Sequence, residues 1–155
     1  MSLSKRLETE YSYPDRKEVS FSIEELGKKL QCALPEVQFA FLLGSATQGH
    51  IPRYGDLDIA VFLENDSVTD FDTVNKIMKC VEGIIGKGVD VDPGILNNAG
   101  VVYRFEALQG KRLFVRPEAQ ENYINFFIQT SKEYEDYMFR MKRYRRNRKQ
   151  IKENA

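Results

Sequence analysis

Cysteine and histidine are scarce in this chain. Two cysteines, Cys32 and Cys80, and one histidine, His50, occur in 155 residues, with no Cys-x-x-Cys spacing. That supply excludes a disulfide framework and leaves a zinc site short of ligands, so both cysteines read as small apolar fillers on helices. Long apolar runs are missing as well. No stretch approaches the roughly 20 residues of a membrane-spanning helix, and the start "MSLSKRLETEYSYPDRKE" is charged where a secretory signal would be apolar. A soluble, cytoplasmic protein without membrane contact is therefore expected. Internal repeats and low-complexity segments are absent too. Net charge is zero, with 23 Lys and Arg against 23 Asp and Glu. The balance hides an asymmetry: Arg140 to Ala155 carries eight of the basic residues and one of the acids, which leaves the remainder of the chain at 15 basic and 22 acidic, a net of −7.

What is present suits one compact domain over residues 1–155, with a core at about 22–116 and a C-terminal helix and basic tail over 117–155. The first 17 residues read as a ragged or extended arm. "SIEELGKKLQCAL" puts Ile23, Leu26, Leu30, Ala33 and Leu34 on one helical face, with Ser22 as N-cap and Glu25 completing a capping box. Pro35 ends that helix. "VQFAFLL" (37–43) then reads as a strand buried on both faces, stopped by Gly44. "DLDIAVFL" (56–63) is a second strand, "ENDS" a turn, and residues 68–85 a helix with Phe71, Val74, Ile77, Met78, Val81 and Ile85 at helical spacing. "VDV" (89–91) is a third strand, cut off by the turn signal Asp92-Pro93-Gly94. A helix is predicted from Asn98 to Gln109 with Gly110 as its left-handed cap, then a strand over Lys111 to Arg116 and a long helix opened by Pro117. The fold class is α/β (α+β): a small mixed sheet of about four strands flanked by helices.

Chemistry concentrates in "GSATQGHIPRYGDLDIAVF" (44–62). Strand residues two apart point the same way, so Asp56 and Asp58 project from one face about 6–7 Å apart along the backbone. Two anions on a core strand need counter-charge, and no Lys or Arg lies within the strand. Divalent ions supply it: hard oxygen ligands suit Mg²⁺, and paired carboxylates can bridge two ions that align an incoming oxygen and a leaving phosphate. A third carboxylate helps to bind the second ion. Asp90, between two valines, is the first choice, with Asp92 on the same face as the alternative. Upstream, Gly44 lets backbone approach a ligand, Ser45 offers a hydroxyl and an amide, and Gly49 relieves the next bend, as in a phosphate-binding turn. The spacing is neither that of a Walker loop nor that of a dinucleotide fingerprint.

A strand, then Gly-Ser, ten residues, Asp-x-Asp in the next strand and a lone Asp in a further one resembles the DNA polymerase beta nucleotidyltransferase superfamily, and most of all its minimal nucleotidyltransferases. The resemblance spans about Ser22 to Arg116 and includes "LNNAG…ALQGKRLF" (96–114). It implies that Gly44 and Ser45 hold the nucleotide phosphates, that Asp56 and Asp58 bind two Mg²⁺ ions, and that Asp90 orients or deprotonates an attacking hydroxyl. It implies ATP as substrate and, as partner, a HEPN-domain toxin whose tyrosines receive AMP, the chain acting as antitoxin. Members often carry arginines just after Gly-Ser, where this chain has Ala46, Thr47 and Gln48. Phosphate neutralisation then rests on the metals, with Arg53 or Lys87 in support. The alternatives are a module that silences its partner by binding alone, and a small-molecule nucleotidyltransferase.

The tail "RMKRYRRNRK" reads first as a solvated helix end, its cations favoured by the helix dipole. A docking arm for an acidic partner comes second and nucleic acid third, so nucleic acid is not an expected partner. The stripe Tyr123, Phe126, Phe127, Thr130, Tyr134, Tyr137, Met138 and Met141 reads mainly as helix-on-sheet core. Its distal half is longer than a small sheet can cover, which leaves room for a partner or a second copy.

Overall fold

The computed structural model describes residues 17–64, 70–86 and 88–154. The expected N-terminal arm, the turn after Glu64, the first residues of the helix expected from residue 68, and Lys87 lie outside them. In chain order the elements are β1 (Val19–Ser20), α1 (Ile23–Ala33), β2 (Val37–Leu43), a 3-10 turn (Gly44–Gln48), β3 (His50–Ile51), β4 (Asp56–Leu63), α2 (Asp70–Ile85), β5 (Asp90–Ile95), α3 (Val101–Gln109), β6 (Lys111–Val115), a second 3-10 turn (Pro117–Ala119) and α4 (Gln120–Glu153).

Four strands form a mixed sheet in the order β5-β4-β2-β6. β2 runs antiparallel to both β4 and β6, whereas β5 runs parallel to β4. Side-chain alternation divides the sheet into two faces. One buries Leu42, Leu57, Ile59, Val61 and Leu63 under Leu26 and Leu30 of α1 and Ile77 and Val81 of α2. The other packs Phe39, Phe41, Leu43 and Ala60 against Ala107 of α3 and Phe126 of α4. Asp56 and Asp58 share the parity of Ala60 and therefore belong to the α3/α4 side.

Local chemistry fixes the joints. Ser22 Oγ accepts from the Glu25 backbone N–H at 3.2 Å, as expected of an N-cap, while the Glu25 carboxylate pairs with Lys29 at 2.9 Å. At the other end of α1 the Arg116 guanidinium donates to the carbonyls of Gln31 and Leu34 and, through Nε, to Val37 at 2.6 Å. One side chain thus satisfies carbonyls left open at a helix end and binds α1 to the sheet.

Several sequence expectations need correction. β5 does not stop at Val91: it continues through Asp92, Pro93 and Gly94 to Ile95. Among the described residues it pairs only with β4, as an edge strand does, and a proline is tolerated on the side of its ladder away from β4. The following helix starts at Val101 rather than Asn98. Asn97 is held in a turn because its amide exchanges two 2.9 Å hydrogen bonds with the backbone of Leu63. Gly110 is extended (φ −77°, ψ −164°), not left-handed. A glycine is required there by closeness instead, since a Cβ would stand 2.4 Å from the Leu42 carbonyl oxygen. Phe71 and Met78 of α2 face solvent, as does Phe127 of α4. Ile77 and Val81 of α2 and Phe126 and Thr130 of α4 are buried as expected, and Thr73 joins them.

Candidate active site

β2 delivers the chain to Gly44, whose φ of +70° turns it into the 3-10 segment. Thr47 Oγ1 donates to the Gly44 carbonyl at 3.0 Å, Ala46 is fully buried, and the Gly49 N–H closes the turn onto Ala46 at 3.0 Å. The turn is pinned to the core at its centre, with Ser45 exposed at its edge. The chain returns through β3, which pairs with β1, and enters β4 at Asp56.

Sheet register then gathers the acids. Asp58 lies opposite Leu43, the last residue before the turn, and beside Asp92 on the parallel neighbour. Its Oδ2 stands so close to the turn that a Cβ on Gly44 would meet it at 2.9 Å. Glycine is thus demanded twice at position 44, by the positive φ and by the carboxylate. Burial pushes the Asp58 carboxyl above its usual range, and the charges of Asp92 and Asp56 push it further.

A cavity of about 630 Å³ opens over this pair. Gly44, Thr47, Asp58 and Asp92 line one side, and Tyr103, Glu106 and Gln109 of α3 line another. Phe105 and Tyr134, stacked with ring centroids 3.6 Å apart, complete the rim. The Tyr103 hydroxyl lies directly over Gly94 of β5, where a Cβ would be 1.9 Å from it. Burial raises the Tyr103 phenol above its usual range, followed by the charges of Asp92, Asp58 and Glu106. Among the described residues that line the cavity, three are acids and none is a cation.

Of the residues singled out from sequence, Gly44, Asp58 and Asp92 meet in this cavity. Asp56 is exposed at the head of β4, across from Asp90 in register, and neither lines the cavity. Ser45 stays on the outer edge of the turn. Arg53 stacks over the exposed Tyr54 ring at 5.5 Å, and His50 sits by Ser20 of β1 and by Glu18 just before that strand. Tyr103, Glu106 and Gln109 of α3 were not singled out from sequence; their one signal was the i, i+3 spacing of Tyr103 and Glu106 within a predicted helix.

A family model described as polymerase beta, nucleotidyltransferase, matches residues 24–119. The chain belongs to that nucleotidyltransferase family. The match begins in α1 and ends at the second 3-10 turn, and so contains the turn, both aspartate strands and α3. No curated protein sequence matches. Among solved structures, a mutant of the MntA–HpeT toxin–antitoxin is 25% identical with a TM-score of 0.59, covering 76% of this chain and 89% of that one. A toxin–antitoxin with AMP-PNP is 24% identical with a TM-score of 0.56, covering 76% and 90%. A tri-AMPylated Shewanella oneidensis HEPN toxin in complex with MNT antitoxin gives 22% and 0.50, covering 74% and 85%. The last two likenesses are of fold.

The donor set suits a hard divalent ion. Asp58, Asp92 and Asp56 offer carboxylate oxygens on adjoining strands, and the mutual repulsion at Asp58 is what a cation would relieve. Among the described residues no three such groups converge into a ready-made cage. Mg²⁺ does not need one, since it is commonly held by one or two carboxylates, water and the substrate's own phosphates.

Proposed function

We propose that this chain is a Mg²⁺-dependent nucleotidyltransferase that moves AMP from ATP to a tyrosine hydroxyl of a HEPN-type toxin and thereby acts as its antitoxin. The observation that carries this reading is a cavity beside a glycine turn whose charged lining, among the described residues, is acidic throughout: Asp58, Asp92 and Glu106. A bare triphosphate would be repelled by Asp58, Asp92 and Glu106, whereas a metal-bound one would be drawn in. The cavity volume lies within the range of small-ligand sites. The solved relatives with AMP-PNP and with a tri-AMPylated HEPN toxin support both the nucleotide and the acceptor.

In this reading Gly44 and the amides of the turn approach the β- and γ-phosphates, with Ser45 at their edge. Asp58 and Asp92, assisted by Asp56, would hold the metal ions, which when bound neutralise the phosphates and align the acceptor with the leaving group. The acceptor oxygen forms a bond to the α-phosphorus, the bond from that phosphorus to the bridging oxygen breaks, and pyrophosphate departs with the electron pair. The acceptor proton passes to the third carboxylate. Asp92 is favoured for that role over Asp90, because it borders the cavity beside Asp58. Tyr103, half-buried and lining the cavity beside these acids, would form a wall against the acceptor.

The contact-only alternative draws on the same absence of lining cations, with Ala46, Thr47 and Gln48 following the Gly-Ser pair. The two separate in one experiment: intact mass of the co-expressed toxin after incubation with ATP and Mg²⁺, using wild type and Asp58→Asn. Added AMP with the wild type alone is expected. Unchanged mass with the toxin still silenced would favour neutralisation by contact.

A further inference from the structure

The last part of α4 is a cationic rod clear of the body. From Lys142 to Asn154 every residue is exposed, and the apolar Phe139, Tyr144 and Ile151 are 68%, 60% and 71% exposed. This segment lies beyond residues 24–119, the part that matches the nucleotidyltransferase family, so the family's chemistry does not account for it. Arg140 to Lys152 spans about 18 Å of helix. That is about two Debye lengths at physiological salt, so the acidic body screens little of the field at the tip.

The cations are not confined to one face. With about 3.6 residues per turn, Tyr144, Asn147 and Ile151 fall at i, i+3 and i+7 and make a narrow neutral stripe. Arg145, Arg148 and Lys152 fall along one flank of it. Arg143 and Arg146 fall along the other. A flat acidic protein surface would engage one flank and leave the other stranded, whereas a groove with anionic walls engages both. The major groove of B-form DNA is about 12 Å wide, the width of an α-helix, and has phosphates on each wall. The major groove of A-form RNA is too narrow for the same fit. Arginine, which predominates on the flanks, pairs with phosphate in a bidentate manner.

We propose that the exposed end of α4 binds duplex DNA in its major groove, the neutral stripe facing the base edges and the five flanking cations on the phosphates of both walls. Asn147 and Ile151 are then the side chains that meet the bases, an amide suited to adenine and an apolar group suited to the thymine methyl.

The test is fluorescence anisotropy of the full chain with a labelled duplex of about 20 base pairs, titrated between about 50 and 200 mM salt. Five phosphate contacts predict a slope of log affinity on log salt of about −4 to −5, a loss of about 500-fold over that range. The double variant Arg145→Gln, Arg148→Gln should flatten the slope by about 2. Both positions are exposed, so the fold is not at stake, and circular dichroism of the variant checks it. Three results would overturn the proposal: no binding to the duplex at the lowest salt, equal or tighter binding to duplex RNA of the same sequence, or a double variant with wild-type affinity and slope. A DNA-independent dimer in sedimentation that the double variant abolishes, in a chain that does not bind the duplex, would instead assign the rod to the acidic body of a second copy.

Discussion

Asp58 stands at a position that folding alone would not choose for a carboxylate. It is half-buried, it lies beside Asp92 in register, and its oxygen stands where a side chain at Gly44 would meet it. Burial and two like charges raise its pKa, so in the absence of metal the ionised group opposes the fold at neutral pH. Asp58→Asn should therefore abolish AMP transfer and yet raise the Tm of the metal-free protein by about 1–3 °C, as differential scanning fluorimetry would show. A lower Tm would mean that the carboxylate is held by its surroundings and is not waiting for a cation. The neighbouring acids separate in the same assay: Asp92→Asn should cost transfer at least about 100-fold, Asp90→Asn less than about 5-fold. At this scale the sequence was legible where a residue type contradicted its place, as two aspartates in an apolar strand did. Asp92's place beside Asp58 was not legible, because the Pro93 turn signal hid a strand that continues past it.

The elements that hold the cavity open are α3 and α4, and their joint is Arg104. Its guanidinium donates to the Ala99 carbonyl at 3.0 Å and to the buried Thr130 hydroxyl at 3.2 Å, and it pairs with Glu133. The hydrogen bond from Arg104, then that from Gln129, lowers the Glu133 pKa. A depressed carboxyl pKa gives stability that is present above its unfolded value and is lost as pH falls through the folded one. Wild type should thus lose more Tm than Glu133→Gln between about pH 6 and pH 3, by about 1–3 °C for so exposed a carboxylate. Parallel Tm-against-pH curves would exclude the pair from the joint. The helix α1 with its amphipathic period and the apolar strands β2, β4 and β6 were readable from residue order. The β1–β3 ladder was not, since two-residue strands carry no period and their pairing is set by where the turn returns the chain. The start of α3 was misread for a similar reason: Asn97 is occupied by a strand 34 residues away.

On the scale of the molecule, charge is sorted. The cavity is acidic and lacks a cation among its described lining residues, the body is net negative, and eight cations are gathered in the last 16 residues. The Gly-Ser turn followed by Asp-x-Asp is visible in residue order, while the wall that α3 supplies is not, since nothing in a nine-residue helix announces which face meets a distant strand. On the proposed reading, a cavity of this sign accepts a triphosphate together with the cations that accompany it. Isothermal titration of ATP into the full chain, with and without Mg²⁺, measures that directly. Binding should appear with Mg²⁺, weaken by at least about 100-fold when EDTA removes it, and disappear in Asp58→Asn. Equal ATP affinity with and without the metal, or unaltered Mg²⁺-dependent binding in Asp58→Asn, would contradict the assignment of this cavity as the site of metal-borne nucleotide.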